Sequence, residues 1–271
     1  MPIGGGSIEP GAMPLLHKYL GTPVLTFLCR LLFRAPITDI NSGMRGVRLS
    51  AFNDLHVVST GMEFSSEIVL QMARRNFRIS EVPITLRKDR RDRAPHLRTW
   101  RDGWRHLCIL LVYSPRFLFL MPGAILSLTG FAFLILLATT DQLALGGIRL
   151  STNTRIVSSL ITLVGTQIFS LGLLAKYIAH TQNLYDSRPE FIDRLQTFCR
   201  YWAIPLGVIF LLCGGIGVLS ALWSWKQHGF GSFLSAHADR FLAPTATVSL
   251  IGFQLIATAF FIMLLDVLRR R

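Results

Sequence analysis

ITDINSGMRGVR, residues 37 to 48, decides how the first third of this chain is read. The stretch is polar, punctuated by glycines, and set between two apolar helical patterns. Asp39, Ser42, Gly43 and Arg45 all fall within it. Gly43 permits close backbone approach, Ser42 brings a hydroxyl, and the planar fork of Arg45 can clamp a phosphate. The same residues also suit a turn held by its own side chains, because Asp and Ser bond readily to neighbouring backbone groups. Spacing alone leaves both readings open.

Upstream, Thr22-Pro23 reads as a helix start, with proline at the first helical position. The helix that follows, VLTFLCRLLFR, is apolar almost all round but too short to span a bilayer. Arg30 and Arg34 lie four apart and can snorkel toward headgroups. An interfacial helix and a buried one both fit. Downstream, SGMRGVRLS reads as a turn into a short strand, and EFSSEIVLQMARRN as a helix with an apolar stripe of Phe64, Ile68, Val69, Met72 and Ala73. FRISEVPITLR alternates like a strand, with Pro83 marking an edge or a bulge. Glu63 and Glu67, four apart, face the same way on that helix. Their repulsion needs an arginine, a bound substrate or solvent to offset it. This strand–helix–strand unit is too small to form a complete α/β domain.

Residues 87 to 96, RKDRRDRAPH, form a strongly basic loop. It attracts anionic lipid, and it also suits a mobile lid that closes on a diphosphate through Arg93, His96 and Arg98. Residues 97 to 112 then read as an amphipathic helix. Leu97, Trp100, Trp104, Leu107, Cys108 and Leu111 take one face, and Arg98, Arg101, Asp102 and Arg105 the other. A tryptophan-rich face against a basic one favours a helix lying in the membrane interface over a core helix.

The 271 residues are 51% hydrophobic, with a mean hydropathy of +0.46, which is too apolar for an ordinary soluble domain. Four stretches are long enough to span, at about 117–140, 156–179, 201–225 and 246–268. Basic residues flank them in the order rich, poor, rich, poor, rich, which puts both termini on the cytoplasmic side of the inner membrane. No Asp, Glu, Lys or Arg lies mid-span, which argues against an ion-coupled transporter. Gln167 and Gln254 suit an interhelical hydrogen bond, and Gly217 with Ala221 suits close helix packing. The net charge of +13 points to anionic partners such as lipid headgroups and phosphates, with no motif for nucleic acid. Cys29, Cys108, Cys199 and Cys213 form no C-x-x-C pair and imply neither a disulfide framework nor a zinc site. The first residues, MPIGGGSIEPGAMP, lack the basic and apolar regions of a signal peptide.

Four blocks, GAMPLLHKYLGTPVLTFLCRLLF, TDINSGMRGVR, GMEFSSEIVLQMARRNFRISEVPITL and RAPHLRTWRDGWRHL, together resemble the C-terminal half of family 2 glycosyltransferases that act on polyprenyl phosphates. These are the dolichyl-phosphate mannose synthase-like and dolichyl-phosphate-glucose synthetase-like enzymes. The likeness runs in order over about residues 5 to 120. Ser42-Gly43-Met44-Arg45 stands where the family has Ser-Gly-Phe-Arg. The resemblance implies a partial GT-A α/β domain over residues 1–96, an interfacial helix over 97–116 and a four-helix membrane domain over 117–271. It implies transfer of a sugar from a nucleotide-sugar to a polyprenyl phosphate, with inversion. Ser42, Gly43 and Arg45 would hold the acceptor phosphate, while Arg93, His96 and Arg98 would meet phosphates from the lid. Asp39, Glu63 and Glu67 would shape the acceptor side or orient those arginines. The intact family enzyme uses a divalent metal, Mg or Mn.

The departure from the family is that no Asp-x-Asp occurs; Asp89 and Asp92 have the wrong spacing and sit among arginines. The expectation is therefore an N-terminally truncated or complemented enzyme. Such a chain takes up a nucleotide-sugar only with the other half present, needs no metal by itself and is inactive alone. The alternative is a non-catalytic membrane subunit or remnant that binds lipid phosphates. A small lipid flippase is a third reading, disfavoured by the uncharged spans. A homo-oligomer stays open.

Overall fold

The computed structural model describes residues 7–10, 12–88, 99–139, 143–145, 148–150, 152–182, 189–227, 229 and 236–269. The chain forms two compact units, a first that runs to Pro115 and a second that takes up almost all of the chain from Arg116.

In the first unit, β1 (Ser7–Ile8) pairs in parallel with β2 (Thr85–Leu86). Four helices accompany them: α1 (Thr22–Phe33), α2 (Leu49–Asn53), α3 (Phe64–Arg74) and α4 (Thr99–Val112). Two strand expectations need correction. Residues 44–48 form no strand, and the chain turns directly into α2. The strand expected over 77–87 shrinks to Thr85–Leu86. Pro83 cannot donate to a ladder, and Glu81 is engaged elsewhere, bonding the Thr38 N–H at 2.7 Å and the Thr38 hydroxyl at 2.9 Å.

Helix α1 resolves its two readings by halves. Leu25, Cys29 and Phe33 are buried, while Val24, Phe27 and Leu31 on the opposite face are exposed. On α3 the buried run is Ser66 to Gln71, so the core side is centred on Ile68, Val69 and Leu70, and Phe64 is exposed. Helix α4 has three sides rather than two. Trp100 and Trp104 are exposed, and so are Arg101 and Arg105. Asp102, assigned by sequence to the basic face, is buried with His106, Leu110 and Tyr113. Spacings of four, four and three put those residues on one face, and that face packs on α1 and α3.

The second unit holds α5 (Met121–Thr139), a hairpin of β3 (Leu143–Leu145) with β4 (Ile148–Leu150), α6 (Thr152–Thr181), α7 (Pro189–Phe198), α8 (Ile204–Gln227) and α9 (Ala236–Arg269). Four helical stretches are long and apolar enough to cross a membrane: Arg116–Thr139, Asn153–Thr181, Glu190–Gln227 and Phe241–Arg269. This is a multi-pass membrane protein with a partial α/β region in front. Its helices meet through small residues. A Cβ on Gly165 of α6 would collide with the Ser127 backbone of α5, and one on Gly214 of α8 would collide with the Ser249 backbone of α9. Gly217 packs against the Thr245 side chain and Ala221 is buried, whereas Gly215 faces open space. The Gln254 amide donates to Gln167 Oε1 at 3.0 Å, the interhelical bond that the sequence suggests.

Three π-helical turns interrupt the described helices, at His17–Gly21, Arg116–Leu120 and Cys199–Ala203. Each ends two residues before a proline: Pro23, Pro122 and Pro205. The cause is local. Pro23 has no N–H for the Tyr19 carbonyl, and the N–H just before it, on Thr22, reaches back five residues to the His17 carbonyl. The helix widens instead of breaking.

Candidate functional site

The stretch that opened the sequence reading lies against α1. Arg34 ends that helix in a left-handed conformation, φ 53°, with its N–H on the Arg30 carbonyl. The chain then runs back along the helix, with Ala35, Ile37 and Asp39 buried and Pro36 and Thr38 exposed between them. This is strand-like alternation without a ladder. Two α1 hydroxyls take the place of a strand partner. Thr26 Oγ1 accepts the Ile40 N–H at 3.3 Å, and Thr22 Oγ1 accepts the Asn41 side-chain amide at 3.0 Å.

Asp39 makes the turn: its Oδ1 accepts the Asn41 N–H at 2.8 Å. Burial raises its carboxyl above the usual range, against the pull of that N–H and of Arg45. Arg45 donates through Nη2 to the Ile40 carbonyl, which fixes the guanidinium, while Nη1 is buried and has no partner among the described residues. Burial lowers the Arg45 pKa, and Asp39 opposes that shift. Arg45 lines a cleft of about 360 Å³ whose other walls include Val47, Leu49, Phe52, Phe64 and Ile68. Gly43 also borders it, and a Cβ there would meet nothing within 4 Å. The chain itself therefore does not require glycine at 43. Ser42 is half-buried in the turn beside it.

The two glutamates have different duties. Glu67 is fully buried, and its carboxylate accepts the Ser59 N–H at 2.8 Å, the Val58 N–H at 3.1 Å, the Gln71 amide at 3.3 Å and the Tyr113 hydroxyl. Burial would raise its pKa, but these bonds outweigh it and the net shift is downward. With its acceptors consumed, Glu67 ties the loop before α3 to α3 and α4. Glu63, by contrast, precedes α3 and has a buried Oε2 without a partner among the described residues.

Sequence reasoning missed several neighbours. His106 on α4 is buried, with Nδ1 2.7 Å from the Ser66 hydroxyl. Burial lowers its pKa, Glu63 and Asp102 raise it, and Arg45 and His17 lower it further. His17 Nε2 and Asn41 Oδ1 are also buried and unpartnered among the described residues. An unpaired buried polar atom costs about 1–3 kcal/mol, so His17, Asn41, Arg45 and Glu63 each have polar capacity that no described residue meets. His17 lies within a π-helical turn, a form of helix often found at functional sites. The sequence signal available for it was Pro23, six residues on. Arg93, His96 and Arg98, the expected lid residues, lie outside the described residues. Among the described residues no group of three or more His, Cys, Asp or Glu could hold a metal ion. The cleft presents a cation, and these residues do not fit a divalent metal.

The arrangement defines a class: a multi-pass membrane protein whose partial α/β region holds a fixed guanidinium at an apolar-walled cleft. Residues 173–266 match the model of the glycosyltransferase family 2 C-terminal transmembrane region. The chain is also 33% identical over 257 residues to the low-salt glycan biosynthesis hexosyltransferase Agl6 of Haloferax volcanii, an alignment covering 94% of this chain and 60% of that protein. The chain thus spans about 60% of the length of the curated relative it matches. No solved structure matches. These matches are a likeness to the family 2 glycosyltransferase transmembrane region over the membrane half and to one hexosyltransferase over most of the chain.

Proposed function

We propose that this chain is the acceptor side and membrane domain of a hexosyltransferase that moves a sugar from a nucleotide-sugar to a polyprenyl phosphate. The observation that carries this reading is Arg45, held by the Ile40 carbonyl at an apolar-walled cleft, with Nη1 unpartnered among the described residues. A phosphate with a hydrocarbon tail satisfies both the cation and the walls. The hexosyltransferase relative and the family match support the sugar-transfer part.

The chemistry asks little of a general base. A phosphate monoester loses its second proton near pH 6, so its oxygen is already nucleophilic at neutral pH. That oxygen attacks the anomeric carbon, the bond to the nucleotide diphosphate breaks, and the diphosphate leaves with the electron pair. The obstacle is bringing two anions together, and a positioned arginine lowers it. Arg45 anchors the acceptor phosphate, Asp39 and Asn41 shape the turn that presents it, and Ser42 offers a hydroxyl beside it. The lid residues Arg93, His96 and Arg98 would meet the donor diphosphate. A bound divalent metal would supply further charge to that diphosphate; no described residue is assigned to hold it. The flanking basic residues support a cytoplasmic-membrane location with both termini in the cytoplasm.

The test is binding of a short-chain polyprenyl phosphate to the protein in nanodiscs, beside transfer of labelled hexose in membranes that contain it. Arg45→Ala should weaken binding about tenfold or more, the scale of one charge-assisted bond. Unchanged binding removes Arg45 from the site. Binding without transfer, in membranes where every nucleotide-hexose has been supplied, favours the lipid-phosphate-binding subunit instead.

A further inference from the structure

A second candidate site lies in the membrane domain, apart from the Arg45 cleft. Where α7 meets the C-terminal end of α9, a cavity of about 270 Å³ is lined by Gln196, Arg200, Tyr201, Met263 and Asp266, among others. Its polar floor is fixed by a three-residue network. The Gln196 amide donates to the Tyr177 hydroxyl and to Asp266 Oδ1, both at 2.9 Å, and that hydroxyl donates to the same oxygen at 3.4 Å. Beneath it is a packed core of Ile192, Leu195, Cys199, Ala259 and Ile262. The wall of the cavity is therefore built, not a chance fold of surface side chains.

Two features put this cavity at headgroup depth. Tyr201 and Trp202 are both 63% exposed just before α8, and Trp223 is 64% exposed near the end of that helix. The 22 residues between Tyr201 and Trp223 rise about 33 Å, close to the hydrocarbon thickness of about 30 Å. Aromatic residues so spaced mark the two interfaces. Arg200 sits beside Tyr201, in the π-helical turn Cys199–Ala203. It is exposed and makes no ion pair among the described residues. Its guanidinium is available at the level where lipid phosphates lie, next to an opening whose apolar lining is Ile262, Met263 and Val267.

We propose that this cavity binds a membrane lipid through its phosphate, with Arg200 on the phosphate, Gln196 and Tyr201 beside it, and the chain laid along Met263 and Val267. Arg200 and Asp266 line the same wall, so the site carries one cation against one anion and suits the single charge of a phosphodiester. The phosphodiester lipids of the bilayer place that group at the level of the opening, so they are assigned here in place of the polyprenyl phosphate of the Arg45 cleft, and this inference stands whether or not that reading does.

The experiment is native mass spectrometry of the full chain in detergent, titrated separately with phosphatidylglycerol, a polyprenyl phosphate and an uncharged diacylglycerol. Phosphatidylglycerol should bind first. Arg200→Ala should weaken it about tenfold, while Arg194→Ala, an exposed α7 cation outside the cavity, should leave it unchanged. Met263→Trp, which fills the cavity and keeps every charge, should also reduce binding while the melting temperature holds. Equal losses in Arg194→Ala and Arg200→Ala would show general charge attraction and overturn the site. Equal binding of diacylglycerol would do the same, and tighter binding of the monoester would overturn the assignment of the lipid.

Discussion

Replacing Glu67 with glutamine tests the division of labour between the two glutamates. The side chain keeps its size and one carbonyl oxygen, but the other oxygen becomes an amide donor. Both carboxylate oxygens of Glu67 receive donors: Ser59 N–H on Oε2, and Val58 N–H, the Gln71 amide and the Tyr113 hydroxyl on Oε1. Whichever way the new amide turns, it faces at least one N–H or O–H. The loss is one charge-assisted bond, about 1.5–3 kcal/mol, plus a stranded buried donor, about 1–3 kcal/mol. A total near 3 kcal/mol corresponds to about a hundredfold faster hydrogen exchange in α3. Exchange mass spectrometry in detergent reads α3 and α4 peptides separately from the membrane helices. The expected result is loss of protection over Phe64–Arg74 and in the last turn of α4, with α5 to α9 unchanged. Tyr113→Phe, which removes one of the four donors and strands no new one, should give the same pattern at about 1.5–3 kcal/mol. If Glu67→Gln leaves exchange untouched and abolishes sugar transfer, the scaffold role is wrong and Glu67 acts on substrate.

Two further outcomes follow from the same structure. The His106 pKa is lowered in the folded protein, so the folded state prefers the neutral ring. That contribution is complete above the unfolded value near 6.5 and fades as pH falls through the folded value, because the unfolded chain binds the proton more readily. Protection of α4 should therefore decline below about pH 6.5, and His106→Asn, which keeps a partner for Ser66, should flatten that limb; an unaltered profile would assign it elsewhere. In the membrane unit, Gly165→Val should lower the unfolding midpoint by the cost of overpacking, about 1–3 kcal/mol or more, since its Cβ has no room against Ser127. Gly215→Val, which points into open space, is the control; equal effects would show that helix propensity rather than close packing governs α6.

The membrane half was legible because twenty-residue apolar runs have few alternatives in water. The interhelical Gln167–Gln254 bond was legible for a related reason: amides at that depth need partners. Helix α3 was found by its period, but its core face was misplaced by a residue or two, because Ser66, Glu67 and Gln71 are buried polar residues and periodicity counts only apolar ones. The same blindness put Asp102 on the wrong side of α4. The turn at Asp39 and the cation at Arg45 were found from residue type. Which of Arg45's nitrogens is spent could not be, since that depends on the Ile40 carbonyl of a folded loop. Glu63 and Glu67 looked equivalent in spacing and differ entirely in what surrounds them.

The proline-coupled π turns carry a consequence for how this sequence can change. A helix advances about 100° per residue. A π turn spreads one extra residue over nearly the same rotation, so it absorbs an insertion and leaves the phase of everything after it unchanged. Deleting a single residue from Cys199–Ala203 would let α7 and α8 run as one plain α-helix, with Gly207 and Gly214 still against α9. A residue deleted between Pro205 and Gly214 has no such turn to absorb it, and would swing Gly214 out of the helix contact by about 100°. The spans should therefore accept many apolar exchanges, reject one-residue insertions and deletions within the plain helices, and tolerate them best in the few positions before Pro122 and Pro205.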